Sequence, residues 1–233
     1  MTFLEKIVAG PRKIVVTGPF GCGKSEFSVS LACAVAGIDD MKTALCDLDI
    51  ENPYFRSRET EVLLTEKGIE VFSDPFDGKN GSELQTISPR IKAPLESPDF
   101  RTIMDTGGDF TGAMVLNQFK RQLSDEVSLL FVINKYRFGS DTEEKVFFQL
   151  DSIEKVTGIK VSGLVSNTHL IKETSEEDIA DGYEFSKGIE KATGIPLMCT
   201  LCPPFLAEKL EGKIPNLFPI GMYLRASYLD KRI

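Results

Sequence analysis

An eight-residue run near the amino terminus has the residue types and spacing that bind nucleotide phosphates. Gly18-Pro-Phe-Gly-Cys-Gly-Lys-Ser25 fits G-x-x-x-x-G-K-[ST] and lies between a strand pattern, Lys13–Val16, and a helical pattern over residues 25–36. In such a loop the backbone N–H groups surround the phosphates, the lysine reaches the β and γ oxygens, and the hydroxyl ligates Mg²⁺. We therefore predict that a nucleotide is bound by Gly18, Gly21, Cys22, Gly23, Lys24, Ser25 and Glu26.

Hydrolysis needs two further groups, a carboxylate on the Mg²⁺ side and a polar group that orients the attacking water. Asp105 ends a buried strand pattern and precedes two glycines, so we predict that it serves Mg²⁺. Asp47 and Asp49 end another predicted strand, where alternation places both side chains on the same side. The alternative is that one of these two residues only caps the next segment.

The elements that must position these residues alternate between short apolar runs and helical patterns. Continuous apolar strands indicate a parallel sheet buried on both faces. The helices have readable ends, with capping boxes Ser140-x-x-Glu143 and Thr174-x-x-Glu177 and terminal glycines at 158 and 194. The predicted strands are 13–16, 43–46, 101–104, 127–133, 161–165 and 195–201. The sequence predicts one α/β domain over residues 1–233, with a doubly wound, mostly parallel sheet.

Two segments do not follow this alternation. Residues 74–99 hold four prolines and no clear period, and we interpret them as a long functional loop. Residues 222–233 are mildly amphipathic, and we predict a packed terminal helix there.

Composition limits the function classes. The 233 residues carry 27 basic and 35 acidic side chains, a formal charge of −8, which argues against binding to nucleic acid or an anionic membrane. Without a spanning apolar run or a signal peptide, we expect a cytoplasmic protein. Five cysteines in no framework spacing predict reduced thiols. Cys199 and Cys202 fit core packing best, and a zinc site shared across a dimer is the alternative.

With these motifs the chain resembles the CobQ/CobB/MinD/ParA group of P-loop proteins in the SIMIBI class, and small stand-alone members of it in particular. The resemblance covers most of the chain. It rests on the loop at 18–25, Asp47-Leu-Asp49 running into Asn52-Pro-Tyr-Phe55, Asp105-Thr-Gly-Gly108, and Leu164-Val-Ser-Asn167-Thr-His169.

The resemblance implies a role for several of these residues. Asp49 would polarise the attacking water, and Asp105 would be the Walker B carboxylate. Lys24, Asp49 and Asp105 would then form the catalytic set, with Ser25, Asp49 and Asp105 around Mg²⁺. Asn167 would contact adenine, and Pro203 would wall the base.

One departure concerns dimerisation. MinD and ParA relatives carry a lysine directly after the first glycine of the loop, which reaches the partner's phosphates, and this chain has Pro19 there. A homodimer is left open, and Arg56, Arg58 or Arg90 is a candidate substitute cation, each also readable as a solvated surface residue.

Base preference is predicted from a second motif. Asn134-Lys-Tyr-Arg137 is similar to a guanine-reading N-K-x-D in which arginine replaces the carboxylate. Guanine donors would stay unpaired there, which favours adenine. His169, the single histidine, either lines the base pocket or supports its loop.

We therefore expect a Mg²⁺-dependent ATP-binding protein that hydrolyses ATP slowly and acts as a nucleotide-state switch on an unknown client. The alternative is an ATP-dependent ligase or kinase acting on a small acid, similar to dethiobiotin synthetase or CobB.

Overall fold

A single parallel sheet organises the chain in the computed structural model, which describes residues 1–49, 58–73, 89–108, 110–124 and 126–224. Its eight strands run in the order β3-β2-β4-β1-β5-β6-β7-β8. The strands are β1 (Lys13–Thr17), β2 (Lys42–Leu48), β3 (Ile69–Phe72), β4 (Phe100–Thr106), β5 (Val127–Ile133), β6 (Val161–Ser166), β7 (Leu197–Cys202) and β8 (Leu217–Pro219). All neighbouring strands pair in parallel, as the continuous apolar runs predicted.

Helices cover both faces of the sheet. They are α1 (Phe3–Ala9), α2 (Lys24–Ala36), α3 (Arg58–Glu66), α4 (Lys92–Glu96), α5 (Phe110–Met114), α6 (Glu143–Thr157), α7 (Glu176–Thr193) and α8 (Pro204–Leu210). The alternation of β1 shows the two layers, because Ile14 and Val16 pack with α1 and α2 while Val15 packs with α4 and α6. The predicted doubly wound α/β fold is confirmed.

The six predicted strands are all present, to within two residues at their ends. The sequence missed β3 and β8, which have four and three residues and are too short to show a period. Two helix starts are also corrected. The N-cap of α6 is Thr142, and the capping box of α7 joins Ser175 to Asp178. Both helices end at the predicted glycines, which adopt left-handed conformations.

The long-loop prediction is wrong over residues 89–96. Residues 74–88 lie outside the described part, but Pro89–Ile91 form a 3₁₀ turn and α4 follows directly. Ile91 and Leu95, one helical turn apart, are buried against the sheet, and Pro94 is tolerated in the first turn of α4. The predicted terminal helix does not include residues 222–224, which follow β8 as irregular chain, and residues 225–233 lie outside the described part.

None of the described helices is both long and apolar enough to span a membrane.

Candidate nucleotide-binding site

The predicted phosphate loop connects β1 to α2, as its motif requires. The chain leaves β1 at Gly18, where φ is +144° and a Cβ would lie 2.4 Å from the Val132 carbonyl oxygen, so only glycine fits. The loop then curls back until the ammonium of Lys24 donates to the Pro19 carbonyl at 3.2 Å. Lys24 opens α2 and is buried, so its charge lies inside the loop and not in solvent.

The loop borders a cavity of about 550 Å³ at the carboxyl ends of the parallel strands, the usual ligand position in such sheets. Nine of the predicted site residues line it: Gly21, Gly23, Lys24, Ser25, Glu26, Asp49, Asp105, Asn167 and Pro203. Two do not. Cys22 is fully buried and Gly18 packs against its thiol, so both support the loop from beneath.

Three carboxylates lie at one end of the cavity. Asp47 and Asp105 are direct neighbours across β2 and β4, and Asp49 follows two residues later. Asp47 accepts the Asp49 N–H at 3.0 Å through Oδ1, so it shapes the turn after β2 as well as lining the cavity. The register of two adjacent strands therefore gathers the acidic groups that the sequence could place only at separate strand ends.

The environment of Asp105 suits a carboxylate that binds a cation. Its Oδ1 accepts the Ser28 hydroxyl at 3.1 Å, and its fully buried Oδ2 has no hydrogen-bond partner among the described residues. Burial raises its pKa to about 6, against opposing effects of Ser25 and Lys24. Carboxylate and hydroxyl oxygens are ligands that Mg²⁺ prefers, so Ser25 and Asp105 fit that ion.

Gly107 and Gly108, which follow β4, lie close to the phosphate loop. A Cβ on Gly108 would lie 2.7 Å from Lys24 Nζ and 2.8 Å from the Phe20 amide nitrogen. A Cβ on Gly107 would lie 3.6 Å from Asp49 Oδ1. The residues Gly107 and Gly108 therefore lie against both the lysine and the acidic end of the cavity.

The other end of the cavity is formed by residues at and after the carboxyl ends of β6, β7 and β8. Asn167 is buried after β6, and its amide donates to the Cys22 carbonyl at 2.7 Å. His169 follows, accepts the Ile171 N–H through Nδ1 at 3.2 Å, and also lines the cavity. Burial, and to a lesser degree the charge of Arg137, lower the His169 pKa. Asn167 thus braces the phosphate loop besides facing the cavity.

Sequence reasoning missed the chain that closes this end. The Glu26 carboxylate accepts the N–H groups of Tyr223 and Leu224 at 2.8 and 3.0 Å, which holds the irregular residues after β8 over the cavity. Ile220, Met222 and Leu224 thereby join the lining. No sequence signal links position 26 to positions nearly 200 residues later.

The Asn134–Arg137 motif does not belong to the cavity lining. The argument for adenine that placed Arg137 opposite the base is therefore corrected, because the side chain lies against Gly21 of the loop. Arg56 lies outside the described residues, as does the side chain of Arg58, and Arg90 is exposed next to α4.

The five cysteines are free thiols, as predicted. Cys199 is buried in the core, and Cys202 is buried where it borders the cavity, so both pack as the sequence indicated.

The chain matches no protein-family model and no curated protein. Among solved structures it is similar to chloroplast FtsY from Physcomitrella patens, with 16% identity and a TM-score of 0.51 over 84% of this chain and 64% of that one. The signal recognition particle receptor FtsY from Elizabethkingia anophelis is 17% identical, with a TM-score of 0.49 over 85% of this chain and 63% of that one. FlhF complexed with GMPPNP and Mg²⁺ is 14% identical, with a TM-score of 0.47 over 84% of this chain and 72% of that one.

The fold is an α/β P-loop fold. The similarity to the Physcomitrella structure, together with the strand order, shows the fold and does not show an activity. The chain spans less than two thirds of the length of these FtsY chains.

Proposed function

We propose that this protein binds ATP with Mg²⁺, hydrolyses it slowly and acts as a nucleotide-state switch. The observation that carries the proposal is the convergence of Lys24, Ser25, Asp49 and Asp105 on one cavity beside a P-loop. These groups come from α2, β4 and the end of β2, and they match the needs of phosphoryl transfer in type and place.

The preference for adenine rests on the lining beyond the phosphate loop. At that end the described lining is mostly apolar and contains Ile171, Cys202, Pro203 and Ile220. The described carboxylates are engaged elsewhere, Glu26 with the chain after β8 and the three aspartates at the opposite end. Guanine would leave donors unpaired there, at about 1–3 kcal/mol each, whereas adenine lacks the N1–H and N2 donors.

In this proposal each residue has a defined task. Ser25 and Asp105 hold Mg²⁺, with Asp49 close by, and the ion when bound supplies positive charge to the β and γ phosphates. Lys24 binds the same oxygens, and Asp49 orients the attacking water. Gly107 and Gly108 lie against Asp49 and Lys24, so they are placed to respond when the γ-phosphate leaves.

A relationship to the MinD/ParA/CobQ type is part of the proposal. The loop motif and the Asp47–Asp49 segment support it. A Cβ added to Gly139 of the same chain would lie 3.1 Å from Pro19 Cβ, so Pro19 packs against a turn of its own chain. This contact suits a loop that contributes no cation to a partner.

The test is nucleotide binding and turnover by purified protein and two matched lysine variants. We expect Lys24→Ala to remove tight ATP binding with an unchanged circular dichroism spectrum. Lys155→Ala, which removes an exposed lysine paired with Asp151, should bind like the unmodified protein. Unchanged ATP affinity in Lys24→Ala would overturn the assignment, and equal affinity for GTP would overturn the adenine preference.

A second comparison separates binding from hydrolysis. Asp49→Asn should keep ATP binding but slow turnover by at least the ~10²-fold typical of a lost positioned acid or base. Turnover is also measured with small carboxylic acids, and strong stimulation by one of them would replace the switch with a ligase or kinase acting on that acid.

A further inference from the structure

Several hydrogen bonds to buried groups hold the turn after β5. Asn134 is fully buried, and its carbonyl accepts the Ser140 hydroxyl at 2.7 Å and the Arg137 N–H at 3.0 Å. Its side-chain oxygen accepts the Tyr136 N–H at 3.0 Å. Lys135 donates its N–H to Thr168 at 3.1 Å, which ties the turn to the residue after Asn167. The turn therefore has a fixed position relative to the site.

This turn lies directly against the phosphate loop. A Cβ on Gly139 would lie 3.1 Å from Pro19, and a Cβ on Gly21 would lie 3.7 Å from Cδ and 3.9 Å from Nε of Arg137. The arginine side chain thus extends along the loop at the glycine that borders the cavity. Gly21, with φ +73°, has no side chain to keep the arginine away.

The charge of Arg137 is available to a ligand. Lys135 of the same turn is neutralised by Asp181 at 2.6 Å, but no carboxylate in the described chain forms an ion pair with Arg137, which is exposed. Its electrostatic effect reaches the cavity, because it contributes to lowering the pKa of His169 in the lining. A free cation beside a phosphate loop is notable in a chain of net charge −8.

We propose that Arg137 acts in cis as a catalytic cation that contacts the phosphates of bound ATP. This inference rests on the proposed ATP hydrolysis. Pro19 carries no positive charge, and Arg137 supplies one from the same chain. Its planar guanidinium is suited to phosphate oxygens.

The step it assists is ordinary hydrolysis. The water oxygen forms a bond to the γ-phosphorus while the bond to the β,γ-bridging oxygen breaks, and its electron pair remains on ADP. The proton released by the water ends on phosphate. Arg137 exchanges no electrons and stabilises the negative charge that develops on the phosphoryl and bridging oxygens.

The experiment compares Arg137→Gln and Arg137→Lys with Lys135→Ala, in the full chain. Gln keeps an uncharged polar group on the side chain, Lys keeps the positive charge without the planar guanidinium, and Lys135→Ala removes a positive charge from the same turn. We measure single-turnover ATP hydrolysis, the ratio of ATP to ADP affinity, and recovery by added guanidinium ion.

We expect Arg137→Gln to slow hydrolysis by at least about tenfold, since arginines that stabilise this transition state are worth ~10³–10⁵ in other enzymes. Arg137→Lys should restore nucleotide affinity more than the hydrolysis rate, and Lys135→Ala should stay within about twofold of the unmodified protein, because the Lys135 charge is already paired with Asp181. Guanidinium should restore part of the rate to Arg137→Gln and none to Lys24→Ala.

Two results would overturn the inference in distinguishable ways. If Arg137→Gln hydrolyses and discriminates ATP from ADP normally while Lys24→Ala fails, the arginine proposal falls and the proposed function stands. If the unmodified protein binds no nucleoside triphosphate, both proposals fall. Arg137 is exposed and outside the core, so the variants are expected to fold, which their thermal unfolding will check.

Discussion

The bond between Asn167 and the phosphate loop can be removed by one substitution, Asn167→Ala. The Asn167 amide donates to the Cys22 carbonyl at 2.7 Å, and both residues are at most 2% exposed. A Cβ on Gly23 would lie only 2.2 Å from the same amide nitrogen, so the side chain fits tightly over the loop. Truncation therefore leaves a buried carbonyl without its donor.

The expected loss follows from that geometry. A buried carbonyl deprived of its partner costs about 1–3 kcal/mol, which corresponds to about 5- to 150-fold in the folding equilibrium constant. Chain positions 22 and 167 are held together across β1, β5 and β6, so the loop should also lose order and bind ATP more weakly.

Urea denaturation followed by circular dichroism measures the first quantity, and calorimetric ATP titration measures the second. Asn117→Ala is the matched control, because Asn117 also donates to a backbone carbonyl, that of Val156 at 3.1 Å, but is exposed. Water can replace that bond, so we expect the control to cost no more than about 0.5 kcal/mol.

Two results would refute the reasoning. If the two variants are equally stable, the Asn167 bond does not hold the loop. If Asn167→Ala loses ATP affinity with no loss of stability, Asn167 acts on the nucleotide alone, as the resemblance implied, and not as a brace.

Two further predictions concern the cavity. Gly108→Ala should force Gly107 and Gly108 away from the phosphate loop, because the added Cβ would lie 2.8 Å from the Phe20 backbone nitrogen; limited proteolysis near these two residues should accelerate, and unchanged cleavage would contradict the contact. His169, whose pKa is lowered chiefly by burial, should make stability decrease as the pH falls through the window below about 6.5, because the unfolded chain then binds the proton more readily. As the only histidine it gives one proton NMR titration, whose midpoint should lie below 6.5 and rise in Arg137→Gln; a midpoint at or above 6.5 would contradict the burial.

Local spacing by itself determined the phosphate loop, the central strands and two helix ends. The loop needs glycines, a lysine and a hydroxyl at fixed intervals, and buried strands need continuous apolar runs, so both are visible in short windows of sequence. Gly158 and Gly194 ended their helices because a left-handed residue there favours glycine. The same windows could not detect β8, which has only three residues and exists through pairing with β7.

Tertiary structure alone decided how the site is completed. Arg137 meets Gly21 because β5 pairs with β1, and Asn167 meets Cys22 because β6 lies beyond β5 in the sheet. Glu26 accepts hydrogen bonds from the N–H groups of Tyr223 and Leu224 because the chain after β8 passes near the start of α2. Such contacts depend on strand order and register, which arise from the packing of the whole sheet, so no pattern within a single segment encodes them.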